Sequence, residues 1–199
     1  MGMGNSSKDK GDRNERAAVV ELVAKAGDLT LPNAQRKLGA GRREDTGDLH
    51  VFPDVAVQVR AKADLGDALR TAAVDSVVQA GHGGMAYALG MVPVPQARQG
   101  TVRWLACCLS WPGGAPGADE IAVFAQPTRA VAHLRREDLG VPRVRRIVQL
   151  ARANTGPVFV APIEAWLAAY RLVRSSGGER LSAAAHVQGV GSQRLAVAG

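Results

Sequence analysis

An acid, an amide and a cation lie close together in one short stretch of this chain. Within Gly47-Asp48-Leu49-His50-Val51-Phe52-Pro53-Asp54-Val55-Ala56-Val57-Gln58-Val59-Arg60-Ala61-Lys62, the valines at 55, 57 and 59 alternate with Ala56, Gln58 and Arg60. A period of two puts the valines on one face of a strand and Gln58 with Arg60 on the other. Phe52-Pro53-Asp54 reads as a turn, so a hairpin folds the Asp48 carboxylate back over the Gln58/Arg60 face. A carboxylate, a second oxygen donor and a cation converging on one spot can hold a divalent metal against a phosphodiester. The same alternation also fits an ordinary amphipathic strand whose outward face is polar.

The elements that must position these residues can be read on either side. From Arg13 to Ala26 the apolar positions Ala17, Ala18, Val20, Leu22 and Val23 fit a helix, with Glu15 in its first turn. There Glu15 complements the helix dipole. Leu29 to Lys37 reads as a first strand or an extended loop containing Pro32. Arg36, Lys37, Arg42 and Arg43 fall in a Gly-punctuated segment just ahead of Asp48, a loop able to mould to a phosphate backbone. After Lys62, which falls on the face of Arg60, the segment from Asp64 to Ala80 has helical spacing, with Asp64 as N-cap. Gln79 ends that helix and His82 follows in a Gly-rich loop. Met85 to Val94 and Val102 to Trp111 do not alternate cleanly and read as strands buried on both faces.

The order acid, short gap, hydrophobic strand, acid-x-Lys resembles the core of PD-(D/E)xK nucleases. The wider context is similar to phage and archaeal Holliday-junction resolvases. Those open with a Gly-x-x-x-Glu-Arg helix, matched by Gly11-Asp12-Arg13-Asn14-Glu15-Arg16, then carry a basic loop, a Gly-Asp and the acid-x-Lys strand. The match covers roughly residues 7 to 110, with a weaker echo near the C-terminus. Where the family pattern has Glu this chain has Gln58, and where it has Lys this chain has Arg60. An amide oxygen can still accept a metal contact without bringing charge. Arginine supplies a fixed cation that cannot deprotonate to act as a base.

The resemblance implies an α/β, restriction-endonuclease-like core, a mixed central sheet flanked by helices, with the core elements in the order strand, strand, helix, strand, strand. It implies magnesium or manganese held by Asp48, Gln58 and Glu15, with Arg60, helped by Lys62, stabilising the charge that builds on phosphate. It also implies DNA as partner, branched DNA included, and a homodimer, since a four-way junction needs two symmetric cuts. A catalytically silent DNA-binding or phage structural protein on the same fold is the alternative.

Composition is consistent with a polyanionic partner: the 199 residues carry a formal charge of +7, with a pI near 10.1. Aromatics make up only 4%, so Val, Leu and Ala must build the core. Cys107 and Cys108 are adjacent and read as core residues of a reduced, cytoplasmic protein in a bacterial or phage-infected cell. Met1 to Lys8 holds no apolar segment of the kind a signal peptide needs. Residues 1 to about 10 are expected to be disordered, 11–111 to form the nuclease-like core, and 112–174 a basic α/β extension packed on it. Residues 175–199 read as a flexible tail. In the extension, Ile121 to Phe124 reads as a strand, Pro127 to Leu134 as a helix, and Val158-Phe159-Val160 as a strand leading into a helix from Ile163 to Val173. Arg143, Arg145 and Arg146 stand in the most basic stretch, 129–152, which is either a second DNA-facing surface or a solvated face.

Overall fold

In the computed structural model of the chain, residues 6–36, 47–96, 101–138, 145–152 and 155–176 are described. The valine-rich strand is β3 (Val55–Val59), and all of its residues are buried. Three elements precede it: α1 (Ser6–Ala26), β1 (Gln35–Arg36) and β2 (Leu49–His50). After it come α2 (Leu65–Gly83), β4 (Tyr87–Pro95), β5 (Val102–Cys108), β6 (Ile121–Phe124), α3 (Pro127–Asp138), β7 (Ile147–Arg152), β8 (Thr155–Pro162) and α4 (Ile163–Ser175).

The strands form one eight-stranded sheet in the order β1-β2-β3-β4-β5-β8-β7-β6. It is mixed: β3 with β4 and β6 with β7 are parallel, while the other pairs are antiparallel. The parallel β3–β4 pair needs a crossover, and α2 supplies it. Asp64 caps α2 by accepting from the Asp67 N–H at 2.6 Å, and Gly84 closes its end in the left-handed conformation. The strands β6, β7 and β8 continue the sheet, because β8 lies directly against β5, with Cys108 opposite Phe159.

Helices cover both faces. One core gathers Leu22 of α1, the three valines of β3, Trp104 and Cys108 of β5, and Trp166 and Tyr170 of α4. The other joins Leu69, Ala72 and Ala73 of α2 to Leu105 and Cys107 of β5 and to Val131 and Leu134 of α3. Adjacent residues of β5 thus serve opposite cores, as the pleat requires. Burial on both sides is why β5 shows no clean alternation. It also corrects the reading of β3 as a half-exposed amphipathic strand: Ala56 is 0% and Gln58 2% exposed.

Three further differences from the sequence reading have local causes. The first helix begins at Ser6, inside the stretch expected to be disordered, with Asp9 in its first turn, where an acid favours the helix dipole. His82 lies in the last turn of α2, because Gly84 is the glycine that ends the helix. The basic segment contains a strand, β7, whose Val148 and Leu150 are buried, with Arg145 and Arg146 before it and Arg152 at its end. Among the described residues no helix is long and apolar enough to cross a membrane.

The Phe52-Pro53-Asp54 turn is fastened to α4. Phe52 packs edge-on to Tyr170, with ring centroids 5.4 Å apart, and the Tyr170 hydroxyl donates to Asp54. Arg174 reaches the other Asp54 oxygen at 3.1 Å. Burial first, and the Asp54 carboxylate second, push the Tyr170 hydroxyl above its ordinary value. Because the folded value is raised, the stability this hydroxyl contributes is fully present below about pH 10 and is lost as pH rises beyond it. Tyr170→Phe should therefore lower stability by about 1–2 kcal/mol at neutral pH. Thermal melts of the two proteins should differ by a constant amount up to pH 9 and converge above pH 10.

Burial also pushes both thiols up, and the neighbouring Cys108 acts in the same direction on Cys107. Neither should react with a disulfide reagent at pH 8 until the chain is unfolded in guanidinium chloride. Titrating free thiols with and without denaturant checks this.

Candidate functional site

Asp48 is placed by the glycine before it. Gly47 adopts φ +101°, and a Cβ there would stand 2.9 Å from the Val57 carbonyl oxygen, so a side chain is excluded both by conformation and by space. The next residue donates its backbone N–H to that same carbonyl at 2.9 Å. Gly-Asp is thus the pair that lets the chain close onto β3 and aim a carboxylate at its end. Asp48 Oδ2 accepts from the Val59 N–H at 2.9 Å and from Arg60 NH1 at 3.2 Å. The expected hairpin, with the acid folded back onto the arginine, is what forms.

Arg60 follows the last residue of β3 and is tied to β4 by its N–H, which donates to the Met91 carbonyl at 3.0 Å. Its guanidinium makes contacts on several sides. Nε donates to Asp75 Oδ2 at 3.0 Å, NH2 lies 2.8 Å from the same oxygen, and NH1 also donates to the Val59 carbonyl at 3.0 Å. The three side chains are partly covered, with exposures of 20% for Asp48, 30% for Arg60 and 33% for Asp75. At that exposure the ion pairs add on the order of 1 kcal/mol and serve geometry more than stability.

Gln58 lies deeper on the same face. It pairs in register with Gly90 of β4, where a Cβ would come within 2.6 Å of the Ala72 backbone, so α2 presses on the sheet here. The side chain is 2% exposed, and its Oε1 is buried with no hydrogen-bond partner. An unsatisfied buried acceptor costs about 1–3 kcal/mol. Gln79 on α2, one turn beyond Asp75, also has a buried Oε1 without a partner.

Glu15, Arg36, Lys62 and Arg145 make contacts of their own. Glu15 is engaged by Arg36 Nε, and Asp12 by Arg36 NH2, so α1 is pinned to β1. Arg36 thus pairs with two carboxylates of α1, its side chain 17% exposed. Lys62 is not brought to Asp48: its Nζ binds Asp67 Oδ2 at 2.9 Å and Thr71 Oγ1 at 3.0 Å on the first turns of α2. The chain leaves β3 after Val59, so strand periodicity no longer applies at position 62. Arg145 and Arg146 are exposed at the start of β7, and Arg145 NH1 donates to the Ile121 carbonyl at 2.9 Å. In the sheet order, β4, β5 and β8 stand between them and β3. That is roughly 20 Å at ~4.8 Å per strand. Lys37, Arg42, Arg43 and Arg143 lie outside the described residues.

Asp75 was missed by the sequence reading. A signal was available: it is the one charged residue between Thr71 and Gly81, in a run otherwise made of Ala, Val, Gly, Ser, Thr and Gln. The helix pattern explained its neighbours and drew attention away from it.

No protein-family model matches the chain, and searches of curated proteins and of solved structures return no match.

Chemically, the site offers two carboxylates, a buried amide oxygen and a fixed cation at one end of β3. Gln58→Leu keeps the volume and removes the stranded carbonyl. It should raise stability by about 1 kcal/mol, or roughly 2–4 °C in Tm. A Tm below that of the wild type would show instead that the amide is satisfied in solution.

Proposed function

We propose that this chain is a metal-dependent, structure-selective DNA endonuclease of PD-(D/E)xK type, resembling a Holliday-junction resolvase. The observation that carries the reading is the buried, unpartnered Gln58 Oε1 on the face where Asp48 and Arg60 meet. A stranded acceptor beside a carboxylate is an arrangement that a cation relieves. The succession β2, β3, α2, β4, β5 supports it as well, being the strand, strand, helix, strand, strand order the resemblance implies.

The donors fit a hard divalent ion. The carboxylate of Asp48 and the amide oxygen of Gln58 would hold magnesium or manganese, which take oxygen ligands. When bound, such an ion supplies charge to a phosphodiester oxygen and lowers the pKa of its water. Arg60 presents a fixed positive charge to the phosphate and orients it. Glu15 acts at a distance, holding Arg36 and with it the edge of the sheet beside β2. The exposed arginines Arg145 and Arg146 suit a second backbone contact. A homodimer follows from the need for two symmetric cuts.

The Arg60 bridge favours a second reading. A guanidinium already neutralises part of the charge of Asp48 and Asp75, and a site so filled suits a DNA-binding protein without catalysis. Cleavage of a labelled four-way junction beside a linear duplex, in magnesium and in manganese, separates the two. Junction cutting that falls about 100-fold or more in Asp48→Ala is the expected result. Tight junction binding without cutting in either metal would establish the binding protein, and no preference for the junction would overturn both.

A further inference from the structure

The contacts of Arg60 are unequal, and the inequality assigns a role to Asp75. Two nitrogens of the guanidinium, Nε and NH2, converge on Asp75 Oδ2 at 3.0 and 2.8 Å. Only NH1 reaches Asp48, at 3.2 Å, and it also donates to the Val59 carbonyl at 3.0 Å. The arginine is therefore moored on α2 by one edge of its fork and touches Asp48 with a single shared donor. We propose that Asp75 is a positioning residue that holds Arg60 on α2, so that the guanidinium does not compete with a divalent cation for Asp48 and remains beside it to receive a phosphate.

The inference rests on the metal-site reading above. Independent support comes from the Gln58 Oε1, which is buried and unpartnered on the same face of β3. Without Asp75, nothing among the contacts of Nε and NH2 would hold that edge of the fork away from Asp48. A planar guanidinium binds a carboxylate best with two parallel donors. Turned onto Asp48 in that way, Arg60 would compete with the metal for the same oxygens. Formal charge points the same way: two carboxylates and one guanidinium leave the group one positive charge short of neutral.

The test is calorimetric titration of manganese into the full chain, which needs no cleavage. Asp75→Asn should weaken manganese binding about tenfold, Arg60→Gln should tighten it, and Arg60→Gln with Asp75→Asn together should match Arg60→Gln alone. Asp75→Glu keeps the mooring charge and should stay within a few-fold of the wild type, which guards against a fold defect in the asparagine variant. An unchanged affinity in Asp75→Asn, or the same tenfold loss with Arg60 already removed, would overturn the positioning role while leaving the metal site standing. Wild-type binding that is absent, or indifferent to Asp48→Ala, would instead overturn the metal reading and this inference with it.

Discussion

Burial of β3 on both faces is the constraint from which the rest of the structure follows. The strand is hydrogen-bonded to β2 on one side and to β4 on the other, and its two faces belong to separate helical layers. A strand so enclosed admits small and branched apolar residues and little else. Polar chemistry can therefore enter in two ways only. It can come at the strand's end, where Arg60 emerges, or it can be stranded inside at an energetic cost, as at Gln58. The parallel step from β3 to β4 forces a crossover helix over one face. That helix brings Asp75 to Arg60, so topology rather than sequence proximity completes the charged group.

How much of this could be read from the residues depended on whether local pattern and tertiary environment agreed. The turn at Phe52-Pro53-Asp54, the Asp64 cap and the return of Asp48 toward Arg60 are local events, and the sequence foreshadowed each. Lys62 and Arg36 were misplaced for complementary reasons. Strand periodicity was carried past Val59, where the strand ends, and a basic residue was taken as free when acids one helix away were within its reach. Asp54 looked like a turn former and proved to be the acceptor that fixes α4 through Tyr170 and Arg174. Pairings across 116 and 120 positions leave no periodic trace. β7 was hidden because a charge run masks an alternation of only two buried residues, Val148 and Leu150.

The C-terminal segment shows how few aromatics can suffice. Trp166 and Tyr170 are both 0% exposed and stack with centroids 5.2 Å apart, and Phe52 meets both. This cluster closes the layer of α1 and α4 over the valines of β3 and holds the hairpin turn that returns Asp48 to Arg60. Lys25 adds a strut between these helices, 2.7 Å from Glu164. The site at one end of β3 therefore depends on packing at the opposite end of the strand.

An arginine rather than a lysine at position 60 makes physical sense together with Asp75. A lysine at position 60 would offer one ammonium, able to face either Asp48 or the helix but hard to share between them. Arginine's fork spans the gap, engaging Asp48, Asp75 and the Val59 carbonyl at once. The cation is thereby held without occupying Asp48 fully, and the neutral Gln58 avoids placing another buried charge beside two acids, where mutual repulsion would raise a carboxyl's pKa. Gln58 and Arg60 are thus linked: one brings no charge and the other a fixed positive charge to a partly buried group of two carboxylates. A Glu at 58 alone would put three carboxylates around one guanidinium, and a Lys at 60 alone would loosen the mooring on α2.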